Sequence, residues 1–330
     1  LFCRDPKTKA IVESAMKAMV YHDYGSPDVL ELQEIDRPIV DDDQVLVRVH
    51  AASVNRRDWH FLTGTPFMVR LMAGLRVPRA KVLGIDVAGR VEAIGRNVSK
   101  LQPGDEVFGS TSHGGFAEVV CVPENELVLK PARLSFEGAA AVPAAARTAL
   151  QGLRDHGQVQ PGQEVLINGA SSGVGTFAVQ IARSFGAQVT GVCSTRNLDM
   201  VRSIGADQVI DYTQEDFAQT GQRYDLILDA VAKRSCSDCR RALSPQGIYV
   251  TTEFSPALLL RAQWVSLTGS QKMVPMLAGR DPRDLVFLRE LLEAGRVTPV
   301  IDRRYTLSEL PEALRYLGQG HAQGKVVITV

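Results

Sequence analysis

The chain has 330 residues, a length that suits two domains better than one ordinary core. Apolar residues make up 45% and charged residues 22%, a globular mix that excludes disorder and collagen-like composition. Lys+Arg and Asp+Glu both total 37, so a broadly basic face for nucleic acid or anionic membrane is excluded, while a local patch is not.

The opening LFCRDPKTKAIVESA carries scattered charges and no continuous apolar stretch, so it does not read as a signal peptide. Met16 looks like a natural start, and residues 1–15 read as a tag, an upstream extension or the stub of a removed leader. Residues 17–130 read as β-rich. Val45, Val47 and Val49 alternate with Leu46, Arg48 and His50, and glycine and proline punctuate often, which suggests a barrel or sandwich. An Ala-rich segment, Gly138 to Leu150, reads as helical.

Short apolar runs follow, at Val165–Ile167, Val189–Val192, Val209–Ile210, Leu226–Leu228 and Ile248–Val250. Their spacing of about 20 residues is that of strands alternating with helices. Val174, Phe177, Ala178, Ile181, Ala182 and Phe185 form one apolar helix face, which Gly186 ends. Parallel strands with crossover helices make a doubly wound sheet. Trp264–Thr268 reads as an edge strand able to pair across a two-fold. Met273 to Leu277 is an apolar strip that suits either a substrate mouth or that interface. Leu285 to Ala294 reads as a helix, Ser308 as the cap of another, and Lys325–Val330 as a final strand. No apolar run approaches the ~20 residues that cross a bilayer.

The strand at 164–168 runs into Gly169-Ala-Ser-Ser-Gly-Val-Gly175 and then into the amphipathic helix. Small residues there admit a pyrophosphate to the free N–H groups of a helix N-terminus. A site for NAD wants a carboxylate near the end of the second strand, about 20 residues on. This chain has Gly191-Val-Cys-Ser-Thr-Arg196 instead. Ser194 and Arg196 suit a 2′-phosphate, so NADPH is the expected cofactor.

Three chemistries compete. A short-chain dehydrogenase would share the glycine loop, but over 150 residues precede that loop here, and no tyrosine after it is followed four residues later by lysine. A zinc alcohol dehydrogenase needs three Cys, His or Glu ligands. The cysteines are Cys3, Cys121, Cys193, Cys236 and Cys239, and Cys236-Ser-Asp-Cys239 has no second pair. The odd, sparse count fits a reducing, cytoplasmic compartment rather than a disulfide scaffold.

The third is a zinc-free reductase, and it rests on linked motifs: Ala51-Ala-Ser-Val-Asn55-x-x-Asp58, Gly84-x-Asp86-x-Ala-Gly89, Gly95-x-Asn97-Val, Pro103-Gly-Asp-Glu-Val-Phe-Gly109 and Gly114-Gly-Phe-Ala-Glu118. Thr148-Ala149, the loop 169–175, Gly205-Ala-Asp-x-Val-Ile-Asp-Tyr212 and Gly324-Lys-Val-Val complete the set. Over about residues 17–330 the chain resembles the zinc-less, quinone oxidoreductase-like medium-chain dehydrogenase/reductases. Asn55 stands where the zinc branch has its first cysteine ligand, and Gly84-Ile85-Asp86 replaces its Gly-His-Glu.

The resemblance implies an α/β fold: a GroES-like β-barrel domain at 16–140 completed by 297–330, and a Rossmann NADP-binding domain at 141–296, a doubly wound parallel sheet. It implies hydride transfer from NADPH to a quinone or an α,β-unsaturated carbonyl, without metal. Ser171, Ser172, Gly173 and Val174 are expected at the pyrophosphate, and Ser194, Arg196 and Tyr212 around the 2′-phosphate. Thr148, Thr251 and Thr252 are expected near the nicotinamide, with His321 and Gln323 in a segment that closes on the cofactor. Asn55, Asp58 and His60 are the catalytic candidates, His60 as a proton relay or a structural histidine. Ala232-Lys233 departs from the family, which often has Gly or Asn there. Expected partners are a small-molecule substrate and a second or further copies of the chain, with no nucleic acid and no membrane. The alternatives are an NADPH-binding regulatory or structural protein with little turnover, and an alcohol dehydrogenase of unknown substrate.

Overall fold

The computed structural model describes residues 15–330 apart from Lys233 and Phe254. Residues 1–14 of the expected extension, with Cys3, and the expectation for Lys233 lie outside the described residues. The strands Gln208–Asp211, Gln188–Cys193, Glu164–Asn168, Tyr224–Asp229, Leu243–Thr251 and Lys272–Pro275 form one six-stranded sheet in that spatial order. All its pairings are parallel. Every apolar run read from the sequence is one of these strands. The order reverses between Glu164–Asn168 and Tyr224–Asp229, which makes a crevice at the carboxyl ends of the strands.

The second sheet is seven-stranded and centres on the long strand Gln44–Val54, which pairs with Asp86–Ile94, Val119–Pro123 and Lys325–Thr329. Ile301–Thr306 lies outside Lys325–Thr329 in the same sheet. The antiparallel register Val326↔Val54 brings the end of the chain beside the residue that follows Val54, which is Asn55. Helix Leu310–Gly318 pins this return, with Leu310, Ala313 and Leu314 fully buried in the barrel core. Each such large apolar side chain contributes about 1.5–3 kcal/mol on burial.

One expectation is refined and three are corrected. The Ala-rich segment is two helices, Phe136–Ala140 and Pro143–Gln151, because Pro143 cannot continue a helix and starts the second one instead. Trp264–Thr268 is the end of helix Pro256–Thr268, capped by the Ser255 side chain and begun by Pro256. The sheet edge is Lys272–Pro275. Met273 and Met276 are buried, and Leu277 is exposed, so the strip Met273–Leu277 is in large part core. Thr306, not Ser308, caps the last helical segment, in a reciprocal box with Glu309.

Candidate functional site

The glycine loop lies at the crevice. Ser172 caps helix Gly173–Ser184, its Oγ accepting from the Gly175 N–H at 3.0 Å. A Cβ on Gly175 would stand 2.0 Å from the Gly169 carbonyl oxygen, so only glycine lets the helix start this close to the strand. The loop also holds the tail, because the Gly324 N–H donates to the Ser171 carbonyl at 2.8 Å.

A cavity of about 160 Å³ opens beside this loop, lined by Ser171, Ser172, Ser194, Arg196, Asn197, Tyr212, Arg234 and His321 among others. Among the described residues no carboxylate lines it, and two guanidinium groups do. Arg196 Nη2 donates to the His321 carbonyl at 2.8 Å, which ties the end of the second strand to the tail. Arg234 is paired with Asp216 at 2.9 Å. Asn197 Nδ2 donates to Ser171 Oγ and Ser194 Oγ, at 2.9 and 3.2 Å, while its buried Oδ1 has no partner among the described residues. A buried orphan acceptor beside two hydroxyls and two cations fits a ribose hydroxyl next to a phosphate. The residues present therefore fit a phosphorylated dinucleotide.

Sequence reasoning named Ser171, Ser172, Ser194, Arg196, Tyr212 and His321, all of which line this cavity. Gly173 and Val174 form the first turn of the helix behind it. Gln323 does not line it, and its N–H donates to Asp302 at 2.8 Å. Thr148, Thr251 and Thr252 are also outside it. Thr148 Oγ1 is bonded to the Ala144 carbonyl, and Thr251 ends the strand that precedes Thr252. Asn197 and Arg234 were missed. An asparagine after the second strand and an arginine 37 residues later carry no local pattern that marks them.

Near the carboxyl end of the sheet, Asp229 is fully buried and accepts from Asn168 Nδ2, the Tyr249 hydroxyl and the N–H groups of Val231 and Ala232. This holds Ala232 at φ +50°, a backbone region that favours glycine. The departure from the family at Ala232 is thus a strained position that the Asp229 network imposes.

The catalytic candidates sit where the barrel meets the crevice. Asn55 caps helix Arg56–Thr63, and the Asn55 N–H donates to Asp58 Oδ2 at 2.8 Å. The Asn55 side chain is wholly engaged: Nδ2 donates to Asp86 Oδ2 and the Ser53 carbonyl, and Oδ1 accepts from Lys325 Nζ at 2.6 Å. Lys325 and Asp86 are a buried ion pair at 3.8 Å. Asp86 also accepts from Ser53, Ser110 and the Ala144 N–H. Burial pulls the Lys325 pKa down, and Asp86 and Asp58 oppose that. The Lys325 stem passes the pyrophosphate loop, since a Cβ on Gly173 would lie 3.1 Å from Lys325 Cδ. Lys325 and Asp86 were visible in the sequence only as motif letters.

Asp58 is buried and its other oxygen accepts from the Gly84 N–H at 3.2 Å. Burial raises its pKa to about 6, against the lowering effect of the backbone bonds and Arg57. His60 Nδ1 bonds the Thr65 carbonyl at 2.7 Å, an arrangement in which Nδ1 carries the proton. The structure brings Asn55 and Asp58 together and points His60 at its own helix terminus. A second cavity, of about 370 Å³, adjoins Asp58 and is lined also by Tyr21, Arg57, Phe61, Met72, Ile85 and His113. Arg280, just past the edge strand, donates to the Thr111 carbonyl at 2.7 Å and so joins the Rossmann side to this cavity's rim.

Two family models match the chain. An alcohol dehydrogenase GroES-like domain covers residues 41–132, and a zinc-binding dehydrogenase domain covers residues 204–328. A chloroplastic quinone oxidoreductase of Triphysaria versicolor is 33% identical, over 95% of this chain and 98% of the relative. A chloroplastic NADPH-dependent alkenal/one oxidoreductase of Arabidopsis thaliana is 33% identical, over 97% of this chain and 81% of the relative. The solved quinone oxidoreductase of Coxiella burnetii superposes with a TM-score of 0.86 at 30% identity, covering 96% of this chain and 99% of that one.

Proposed function

Because the chain belongs to the quinone oxidoreductase-like medium-chain dehydrogenase/reductases, we propose that it is an NADPH-dependent reductase of quinones and α,β-unsaturated carbonyls. NADPH, when bound, supplies the hydride. For an enone the balance is one hydride to the β-carbon and one proton to the α-carbon, giving the saturated ketone and NADP⁺. The observation that carries the cofactor choice is the cavity at Ser194, Arg196, Asn197 and Arg234, cationic and free of carboxylates.

The chain's own residues bind, orient and shield. Ser171, Ser172, Gly173 and Val174 would hold the pyrophosphate at the helix N-terminus. Ser194, Arg196 and Tyr212 would surround the 2′-phosphate, with His321 and Gln323 on the closing tail. Thr251 and Thr252 lie at the carboxyl end of their strand, where a nicotinamide belongs, and Thr148, on helix Pro143–Gln151, would approach the same half of the cofactor. Asn55, Asp58 and Lys325 form the floor between the two sheets. Their polar atoms are spent on one another and on Ser53, Gly84 and Asp86, which supports a positioning role. Water entering the cavity beside Asp58 is then the proton source.

Metal independence is supported by the donor set. Asn55 Oδ1 and Asp86 Oδ2 are both held by the Lys325 ammonium, whose charge opposes a divalent ion in the same place, and the Asn55 amide donates its Nδ2 hydrogen to Asp86. The domain division 16–140 with 297–330, and 141–296, is supported by Ile301–Thr306 and Lys325–Thr329 joining the barrel sheet. A homodimer through the edge strand Lys272–Pro275 would extend the parallel sheet across a two-fold. Four free cysteines among the described residues suit a reducing compartment such as the cytoplasm, while the Triphysaria versicolor and Arabidopsis thaliana relatives are chloroplastic.

The test is NADPH oxidation with a panel of quinones, enones and simple ketones. Turnover of the first two groups and not the third is expected. Tight NADPH binding with no turnover on any of them would favour a binding protein instead.

A further inference from the structure

We infer that the cavity beside Asp58 contains an anion subsite, so that the preferred electrophile carries a carboxylate or phosphate besides its reducible double bond. This deepens the reductase reading and rests on it for the location of the reacting carbon. The cavity is lined by Arg57, Arg79 and Lys81, with Asp58 as its single acidic side chain among the described residues. Asp58 is felt by Arg57 but forms no ion pair with any of the three, its two oxygens accepting the N–H groups of Asn55 and Gly84 instead. Asp86, the other acid that Arg57 senses, is taken by Asn55, Ser53, Ser110, Ala144 and Lys325.

The ion pairs among the described residues use none of Arg57, Arg79, Lys81 or Arg280. Arg57 is the built part of the site. Its guanidinium lies 4.3 Å over the Phe61 ring, and Nη1 donates to the Ser112 carbonyl at 3.1 Å. Stacking and one bond fix the plane of the group and leave most of its five donors free. Burial and the nearby Arg280 charge hold the Arg57 pKa down, and both arginines lower that of His113. Arg79, Lys81 and Arg280 are exposed and solvated, whereas Arg57 is half-buried, and it is this cation whose desolvation an anion would offset. A volume of about 370 Å³ has room for a small enone together with such a group. A neutral substrate would leave these cations unused.

The test compares β-acetylacrylate with its methyl ester as substrates, and levulinate with its methyl ester as non-reducible ligands of the NADPH-loaded protein. At low salt the acids should be favoured over the esters by about tenfold, in kcat/KM and in calorimetric affinity. The preference should shrink as salt rises, fall to near parity in Arg57→Met, and be partly kept in Arg57→Lys. Esters that bind and react as well as the acids would overturn the subsite and leave the reductase reading intact. An equal loss on acid and ester in Arg57→Met would also overturn it, by making Arg57 a general contact. Levulinate binding that depends on Arg57, with neither enone reduced, would keep the subsite and remove the reductase reading.

Discussion

Lys325 Nζ lies 2.6 Å from Asn55 Oδ1, so the last strand of the chain is bonded to the cap of the helix that opens the candidate active site. The same lysine passes beneath Gly173 of the cofactor loop and pairs with the buried Asp86. One side chain thus fixes the barrel floor relative to the nucleotide loop. Replacing it with methionine strands Asp86 in a dry interior. Lys325→Met is expected to lose roughly 3–5 kcal/mol of stability in urea unfolding. A double variant, Lys325→Met with Asp86→Leu, should recover part of that loss, because the unpaired charge is gone.

Arg196 reaches across the cofactor cavity to the tail and supplies the charge at the end of the second strand. Arg196→Ala should raise the NADPH Michaelis constant by about tenfold or more and leave that for NADH nearly unchanged. A loss of equal size for both cofactors would mean that Arg196 acts only by holding the tail.

Gly175 carries the approach of helix to strand. Gly175→Ala puts a methyl group 2.0 Å from a carbonyl oxygen that cannot move without shifting the strand. The variant should show weakened NADPH binding by fluorescence titration and a lower melting temperature, and Gly175→Val should not fold.

Asp58 gives the protein a pH signature. Its pKa is raised from 3.8 to about 6 by burial, so the folded state favours the protonated form. The corresponding stability is complete below pH 3.8 and is lost as the pH rises through 6. Asp58→Asn keeps a neutral group at every pH. Relative to wild type its stability should therefore improve between about pH 4 and pH 7, by up to roughly 3 kcal/mol. A pH-independent difference in urea unfolding would place the charge elsewhere.

Most of the fold was legible because its signals are local. Apolar runs such as Leu226–Leu228 and the small-residue loop 169–175 announce a strand or a strand–helix turn from a few adjacent residues. Trp264–Thr268 was misread because its residues suit a strand as well as a helix, and only Ser255-Pro256, nine residues upstream of Trp264, sets the helix going. The cofactor cavity was half visible. Ser194 and Arg196 follow a strand at a fixed interval, whereas Asn197 and Arg234 join the cavity only through the crossover path of the chain. The floor was the least visible part. Asn55, Asp86 and Lys325 are separated by up to 270 residues, and the antiparallel register of the last strand against Gln44–Val54 is what unites them.

Direct hydride delivery without a metal is tested most directly by reducing an enone with NADPH deuterated at the transferred position, in the presence of a strong chelator. Deuterium at the β-carbon of the product, at a rate the chelator leaves unchanged, is the predicted result. Product without deuterium at that carbon, or turnover abolished by the chelator and restored by zinc, would contradict it.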